Sequence, residues 1–149
     1  MTPPALVDAA GSALAALTDP YDVPTPPVRF LRLVAKVRRN IREITPAALA
    51  ALSAAARPVL IDVREFTEWR SGHAAGAVHI PRGLIEQRIE RAVPGLDVAI
   101  VCYCADGGRS VLAVESLERL GYQDVRFLAG GFAAWADTGL PVAHGDESD

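Results

Sequence analysis

Cysteine is scarce. The 149-residue chain has two, Cys102 and Cys104, too few and too close together for a disulfide framework. Excess positive charge is missing as well. The net charge is −3 and the pI about 5.6, so no global field draws in nucleic acid. No uninterrupted apolar run approaches the roughly 18 residues that a membrane span needs. The start, MTPPALVDAAGSALAALTDP, is Ala-rich but lacks the basic opening of a secretory signal and carries Asp8. What is present suits burial: 50% of residues are hydrophobic and 22% charged, enough apolar surface for a real core. The length fits about one domain. These features predict a soluble, cytoplasmic protein in a reducing compartment.

Charge is uneven along the chain. Residues 1–43 carry a net charge of +2 and residues 44–149 one of −5. Pro20, Pro24, Pro26 and Pro27 interrupt regular structure before residue 28. Residues 1–27 are therefore expected to be a weak helix and an extended linker, and 28–42 a separate helix. That N-terminal extension (1–43) precedes a compact domain (44–142) and a frayed tail (143–149). Within the helix, Phe30, Val34, Val37 and Ile41 recur at helical spacing, with Arg29, Arg32, Lys36, Arg39 and Arg42 on its other faces. Such a helix can dock on its own domain, or offer a surface for self-association or a protein partner. Its apolar stripe is short for membrane binding.

From Thr45 onward the pattern alternates strand and helix. Thr45 and Pro46 open a helix in PAALAALSAA, and PVLIDV (58–63) reads as a buried strand. A short helix follows at 65–71, then a strand at 77–80 and a helix at 83–93. DVAIVCYC (97–104) is the strongest strand. An amphipathic helix spans 108–121, a strand 124–130 and a last short helix 131–139. This alternation implies βα units around a mostly parallel sheet with helices on both faces. Ligands of such sheets sit beyond the carboxyl ends of the strands.

One of those ends holds the sequence's best candidate chemistry: Cys104-Ala105-Asp106-Gly107-Gly108-Arg109-Ser110, running straight into a helix. The two glycines let the backbone curl and turn several N–H groups toward one point. The helix N-terminus and Arg109 add positive charge behind it. These surroundings favour a thiolate, a persulfide or a bound oxyanion. The bland alternative, a small buried hydrophobe ending a strand, needs neither the amides nor the arginine. Cys102 lies on the same face of the strand and is expected in packing, with a resolving role as the alternative.

Five stretches now resemble the rhodanese family, in its order: IDVREFTEW (61–69), GHAAGAVHIP (72–81), CADGGRS (104–110), FLAGGFAAW (127–135) and TGLPV (138–142). The resemblance implies an α/β three-layer sandwich with a mostly parallel five-stranded sheet, here with an N-terminal helical extension. It implies that Cys104 is catalytic and cycles through a persulfide by double displacement, with the loop amides of residues 105–110 holding the transferred sulfur. The partners implied are a small-molecule sulfur donor and a thiol, cyanide or sulfur-carrier-protein acceptor, with no metal or organic cofactor. Acidic Asp106 works against a dianion such as thiosulfate, so a persulfide donor fits as well. Other classes stand behind this one. A non-catalytic regulatory module is opposed by the intact loop. A cysteine-dependent phosphatase or arsenate reductase is opposed by the four residues between Cys104 and Arg109, a tighter ring than those phosphatases have.

Supporting residues are read as structural. Asp62 and Arg64 form a tie near the sheet edge, and His73 stabilises a turn. His79 is a satisfied histidine, Glu68 a solvated helix residue, and His144 part of the tail. Phe132 and Trp135 pack the last helix.

Overall fold

The runs Val-Leu-Ile-Asp and Ile-Val-Cys-Tyr have no polar face, and parallel strands covered on both sides need none. In the computed structural model, which describes residues 27–145, they form β2 (Val59–Asp62) and β5 (Ile100–Tyr103). With β1 (Arg42–Ile44), β4 (Val78–His79) and β6 (Val125–Leu128) they build a five-stranded sheet in the order β1–β6–β5–β2–β4. Every pairing in it is parallel. The helices are α1 (Val28–Arg38), α2 (Pro46–Ala50), α3 (Phe66–Ser71), α4 (Ile85–Ala92), α5 (Gly108–Arg119) and α6 (Gly131–Asp137).

Side chains alternate across the sheet and split the core in two. On one face Ile61, Ile100, Cys102 and Phe127 pack with Ile85 and Ile89 of α4 and with Val111, Val114 and Leu117 of α5. On the other, Leu60, Val101, Tyr103 and Leu128 pack with Leu49, Trp69 and Trp135. Each fully buried aliphatic side chain contributes roughly 1.5–3 kcal/mol. This is the α/β three-layer sandwich expected.

Local chemistry sets the elements. Thr45 Oγ1 accepts the Ala48 N–H at 3.1 Å and Pro46 occupies the first helical turn, so α2 starts as expected. It is shorter than expected. The alanines that follow form only a 3-10 turn, Ala54–Ala56, in which no residue is buried, and without a face to bury a short helix has little to hold it.

Three differences from expectation concern the edges. The basic helix expected over 28–42 stops at Arg38, and Arg42–Ile44 form β1 instead, in register with Arg126–Leu128. The free edge of β6 offers those backbone groups partners that a last helical turn could not. His73–Ala74 and Val142–Ala143 form a small antiparallel pair, β3 and β7. Ala143, expected in the frayed tail, is thereby tied down. The chain divides into two units, Met1–Arg32 and Leu33–Asp149. In the second unit Val34, Val37 and Ile41 pack on the core and the Arg38 guanidinium lies 5.2 Å from the Phe127 ring centroid. The weak helix and linker expected over residues 1–27 fall, up to residue 26, outside the described residues, as does the tail from residue 146. Among the described residues no helix is long and apolar enough to cross a membrane.

Candidate active site

β5 is the central strand, hydrogen-bonded on both sides to β2 and β6. Its backbone delivers Cys104 to the carboxyl edge of the sheet, just past the last paired residue. There the ladder ends and the chain reverses. Gly107, with φ of +125°, takes a conformation that side-chain-bearing residues rarely adopt. The reversal aims two amides at one sulfur: Gly107 N–H donates to Cys104 Sγ at 3.1 Å and Ser110 N–H at 3.4 Å. Ser110 Oγ lies 3.5 Å from the same sulfur and donates to Gly107 O at 3.0 Å. Behind them stands the N-terminus of α5, whose partial positive charge favours negative charge on the sulfur. The loop 105–110 thus curls around Cys104. The thiol itself is covered: Cys104 is 0% exposed, while Gly107, Gly108 and Arg109 are half-buried and Asp106 is exposed.

The loop amides turn inward because its carbonyls are held from outside. Phe132 N–H donates to Cys104 O at 2.8 Å and Ala133 N–H to Ala105 O at 3.4 Å. Gly131 makes this approach fit. A Cβ there would press on Cys104 O and stand 2.7 Å from Ala105 O, and its φ is +60°.

Two carboxylate–arginine pairs flank the loop. Arg64 grips Asp62 through Nε and Nη2, the latter at 2.8 Å, and donates to Gly72 O at 2.6 Å. Its guanidinium lies 4.4 Å from the Phe132 ring centroid and 5.7 Å from that of Tyr103. The side chains of Arg64 and Asp62 are 8% and 0% exposed. Burial acts against the arginine's charge, and the Asp62 hydrogen bonds and charge outweigh it, raising Arg64 above the ordinary range. The second pair joins Arg109 to Glu68 of α3 in two parallel bonds, of 2.7 and 3.0 Å, the bidentate form that suits guanidinium and carboxylate. Burial raises the Glu68 carboxyl, but the Arg109 hydrogen bonds, the Glu65 N–H and the Arg109 charge outweigh it and hold Glu68 below its usual range. Arg109 is held above its own range, first by the Glu68 hydrogen bonds.

Glu68 is therefore not the solvated residue expected. That Arg109 meets a carboxylate, and which one, is a tertiary matter that the local pattern does not announce. Around Trp69 two imidazoles stack, His73 at 3.4 Å and His79 at 5.0 Å between centroids. His73 Nδ1 contacts Trp69 O at 2.9 Å, and its buried Nε2 has no partner among the described residues. His79 Nε2 contacts Arg64 O at 2.7 Å. Cys102 is sealed in the core, where burial, reinforced by the neighbouring Cys104, pushes its thiol far up.

A parallel α/β sheet whose central strand leads into a cysteine met by two backbone amides points to the class of this protein. The chain belongs to the rhodanese-like family: the family model for the rhodanese-like domain matches residues 45–138. Thiosulfate sulfurtransferase 16, chloroplastic, of Arabidopsis thaliana is 36% identical over 94 residues, covering 55% of this chain and 77% of its own. The probable adenylyltransferase/sulfurtransferase MoeZ of Mycobacterium tuberculosis is 40% identical over 77 residues, covering 52% of this chain. The chain spans only 20% of MoeZ. Among solved structures, the thiosulfate sulfurtransferase of Pseudomonas aeruginosa superposes with a TM-score of 0.65 at 32% identity, over 70% of this chain and 20% of that one.

Proposed function

We propose that this protein is a sulfurtransferase that carries a sulfane sulfur on Cys104. The observation that carries the reading is the pair of backbone N–H groups, from Gly107 and Ser110, that converge on Cys104 Sγ. The Cys104 thiolate attacks the outer sulfur of a donor. The donor's S–S bond breaks and its electron pair leaves with the remainder, sulfite in the case of thiosulfate. Cys104 is left as a persulfide whose terminal sulfur bears the negative charge, and the amides of residues 105–110 stabilise that charge. A nucleophilic acceptor (a thiol, cyanide or a sulfur-carrier protein) then takes the outer sulfur and regenerates the thiolate, a double displacement.

Each neighbour has a part in this scheme. Ser110 is a positioning residue whose hydroxyl can pass from Gly107 O to the charged sulfur. Asp62 and Arg64 tie the end of β2 to Gly72 and to the ring of Phe132, His73 stacks on Trp69, and none of the three touches a reacting atom. Because Cys104 is covered, the half-buried loop has to part for a donor to enter. The working unit is residues 44–142, braced by 33–43, in the cytoplasm. The same covering of Cys104 favours a second reading, a regulatory module that binds partners without turnover.

Intact mass after incubation with thiosulfate, 3-mercaptopyruvate and cysteine persulfide separates the two. Transfer requires a gain of about 32 Da, one sulfur atom, on Cys104, removed by cyanide. No gain from any donor would leave the binding module standing.

A further inference from the structure

Three arginines at the carboxyl edge, Arg64, Arg82 and Arg109, have carboxylate partners. Arg64 is neutralised by Asp62 at the end of β2, Arg82 pairs with Glu86, and both terminal nitrogens of Arg109 are taken by Glu68. Glu68 is itself held in place. Its Oε1 also accepts the Glu65 N–H at 3.1 Å, in the capping box that starts α3, which orients the carboxylate toward Arg109. Asp106, exposed in the loop, forms no ion pair among the described residues. The rim of Glu68, Arg109 and Asp106 thus sums to one negative charge, although it contains the arginine that sequence alone reads as an anion attractor.

We propose that Glu68 determines the donor class: by cancelling Arg109 it leaves a negative mouth over Cys104 that selects sulfur donors bearing one negative charge or none, such as an alkyl persulfide, over dianionic thiosulfate. This rests on the sulfur-transfer reading of Cys104. Glu68 is a specificity-determining residue and touches no reacting atom. In the step it favours, the Cys104 thiolate attacks the outer sulfur of R–S–S⁻, the donor's S–S bond breaks, and the electron pair leaves as R–S⁻. Cys104 becomes Cys–S–S⁻, and charge is conserved at two negatives. Thiosulfate brings one more negative charge to the same mouth. One unit charge at a partly hydrated distance of about 7 Å changes capture by roughly fivefold to tenfold.

The test uses two pairs of probes on the full chain. Iodoacetate and iodoacetamide are close in shape and differ by one charge. The ratio of their rates at Cys104, located by peptide mass, reports charge at the mouth with no turnover needed. Loop opening and thiolate fraction cancel in that ratio. Glu68→Gln, which keeps the Glu65 acceptor, should raise the iodoacetate/iodoacetamide ratio about fivefold to tenfold, and 0.5 M KCl should shrink the rise. The same variant should lower the KM for thiosulfate relative to that for cysteine persulfide by a similar factor, since the two donors also differ by one charge. Asp106→Asn, at an exposed site, should shift both ratios in the same direction and keeps the test alive should Glu68→Gln fold poorly. Unchanged ratios in both variants, with donors still loading Cys104, would overturn the proposal and leave the sulfurtransferase reading intact. A raised alkylation ratio with no donor loading at all would sink that reading, and the donor class with it.

Discussion

Cys102 and Cys104 stand two positions apart, both fully buried and both in one apolar cluster, yet only the sulfur of Cys104, just past the end of β5, meets backbone amides among the described residues. Cys102 lies in register between Ile61 of β2 and Phe127 of β6. Every backbone group beside it is spent on the ladder, and its side chain is packed in the apolar core. Cys104 lies past the last paired residue, where the N–H groups of Gly107 and Ser110 are free to turn back on its sulfur. On the sulfur-transfer reading proposed above, what prepares Cys104 for chemistry is the end of the sheet. Inside a ladder the amides are already committed. Beyond it they can serve a side chain, provided something else holds the carbonyls, and the start of α6 does so.

The largest expected effect comes from exchanging sulfur for oxygen at each position. Cys104→Ser should lower sulfur loading by at least about 10³-fold, whereas Cys102→Ser should leave loading of the folded protein within about threefold. Cyanolysis of the loaded protein reads both, and a comparable loss at Cys102 would erase the distinction between the two sites. Next is the tie at the end of β2. Arg64→Met strands the Asp62 charge in the interior and should cost about 3–5 kcal/mol in urea unfolding. Gly131→Ala attacks the brace that separates the loop from the ladder. The left-handed backbone alone costs about 1–2 kcal/mol, and pressure on Cys104 O should slow alkylation or loading of Cys104 even at temperatures where the protein stays folded. Cys102→Ala removes a packed sulfur and should cost about 1 kcal/mol with no change in loading rate.

The smallest effect sharpens the contrast through pH. The Glu68 carboxyl is lowered in the folded protein, so the pair's contribution is present above the carboxyl's unfolded value and is lost as pH falls through its folded one. At 30% and 32% side-chain exposure the pair is worth about 0.5–1 kcal/mol. A double-mutant cycle of Glu68→Gln and Arg109→Gln should show that coupling at pH 7 and none in acid below the Glu68 range. Coupling that persisted there would mean that the contact does not depend on the carboxylate's charge.

Much of this was legible in order along the chain. The β2 and β5 strands, the Thr45–Pro46 helix start and the Gly-Gly turn into α5 are local matters, decided by periodicity, capping and backbone freedom. Other features were not. Arg42–Ile44 lacks a strand's signature and becomes one because the edge of β6 was open. His73 pairs with Ala143 and Ala74 with Val142, far apart in the chain, with too few residues on either side to announce a sheet. Glu68 looked like any helix-surface acid. Gly131 stood only as the first residue of the last short helix, and its task is to let α6 approach the carbonyls of Cys104 and Ala105.

The sequence by itself determined the alternation of strands and helices, the cysteine at a strand's end and the glycines that allow the turn, since each depends on neighbours within a few residues. Only the tertiary structure decided which carboxylate answers Arg109 and which amides of α6 hold the carbonyls of Cys104 and Ala105. Those depend on groups far apart in the chain, brought within hydrogen-bonding distance by burial of the two faces of one sheet.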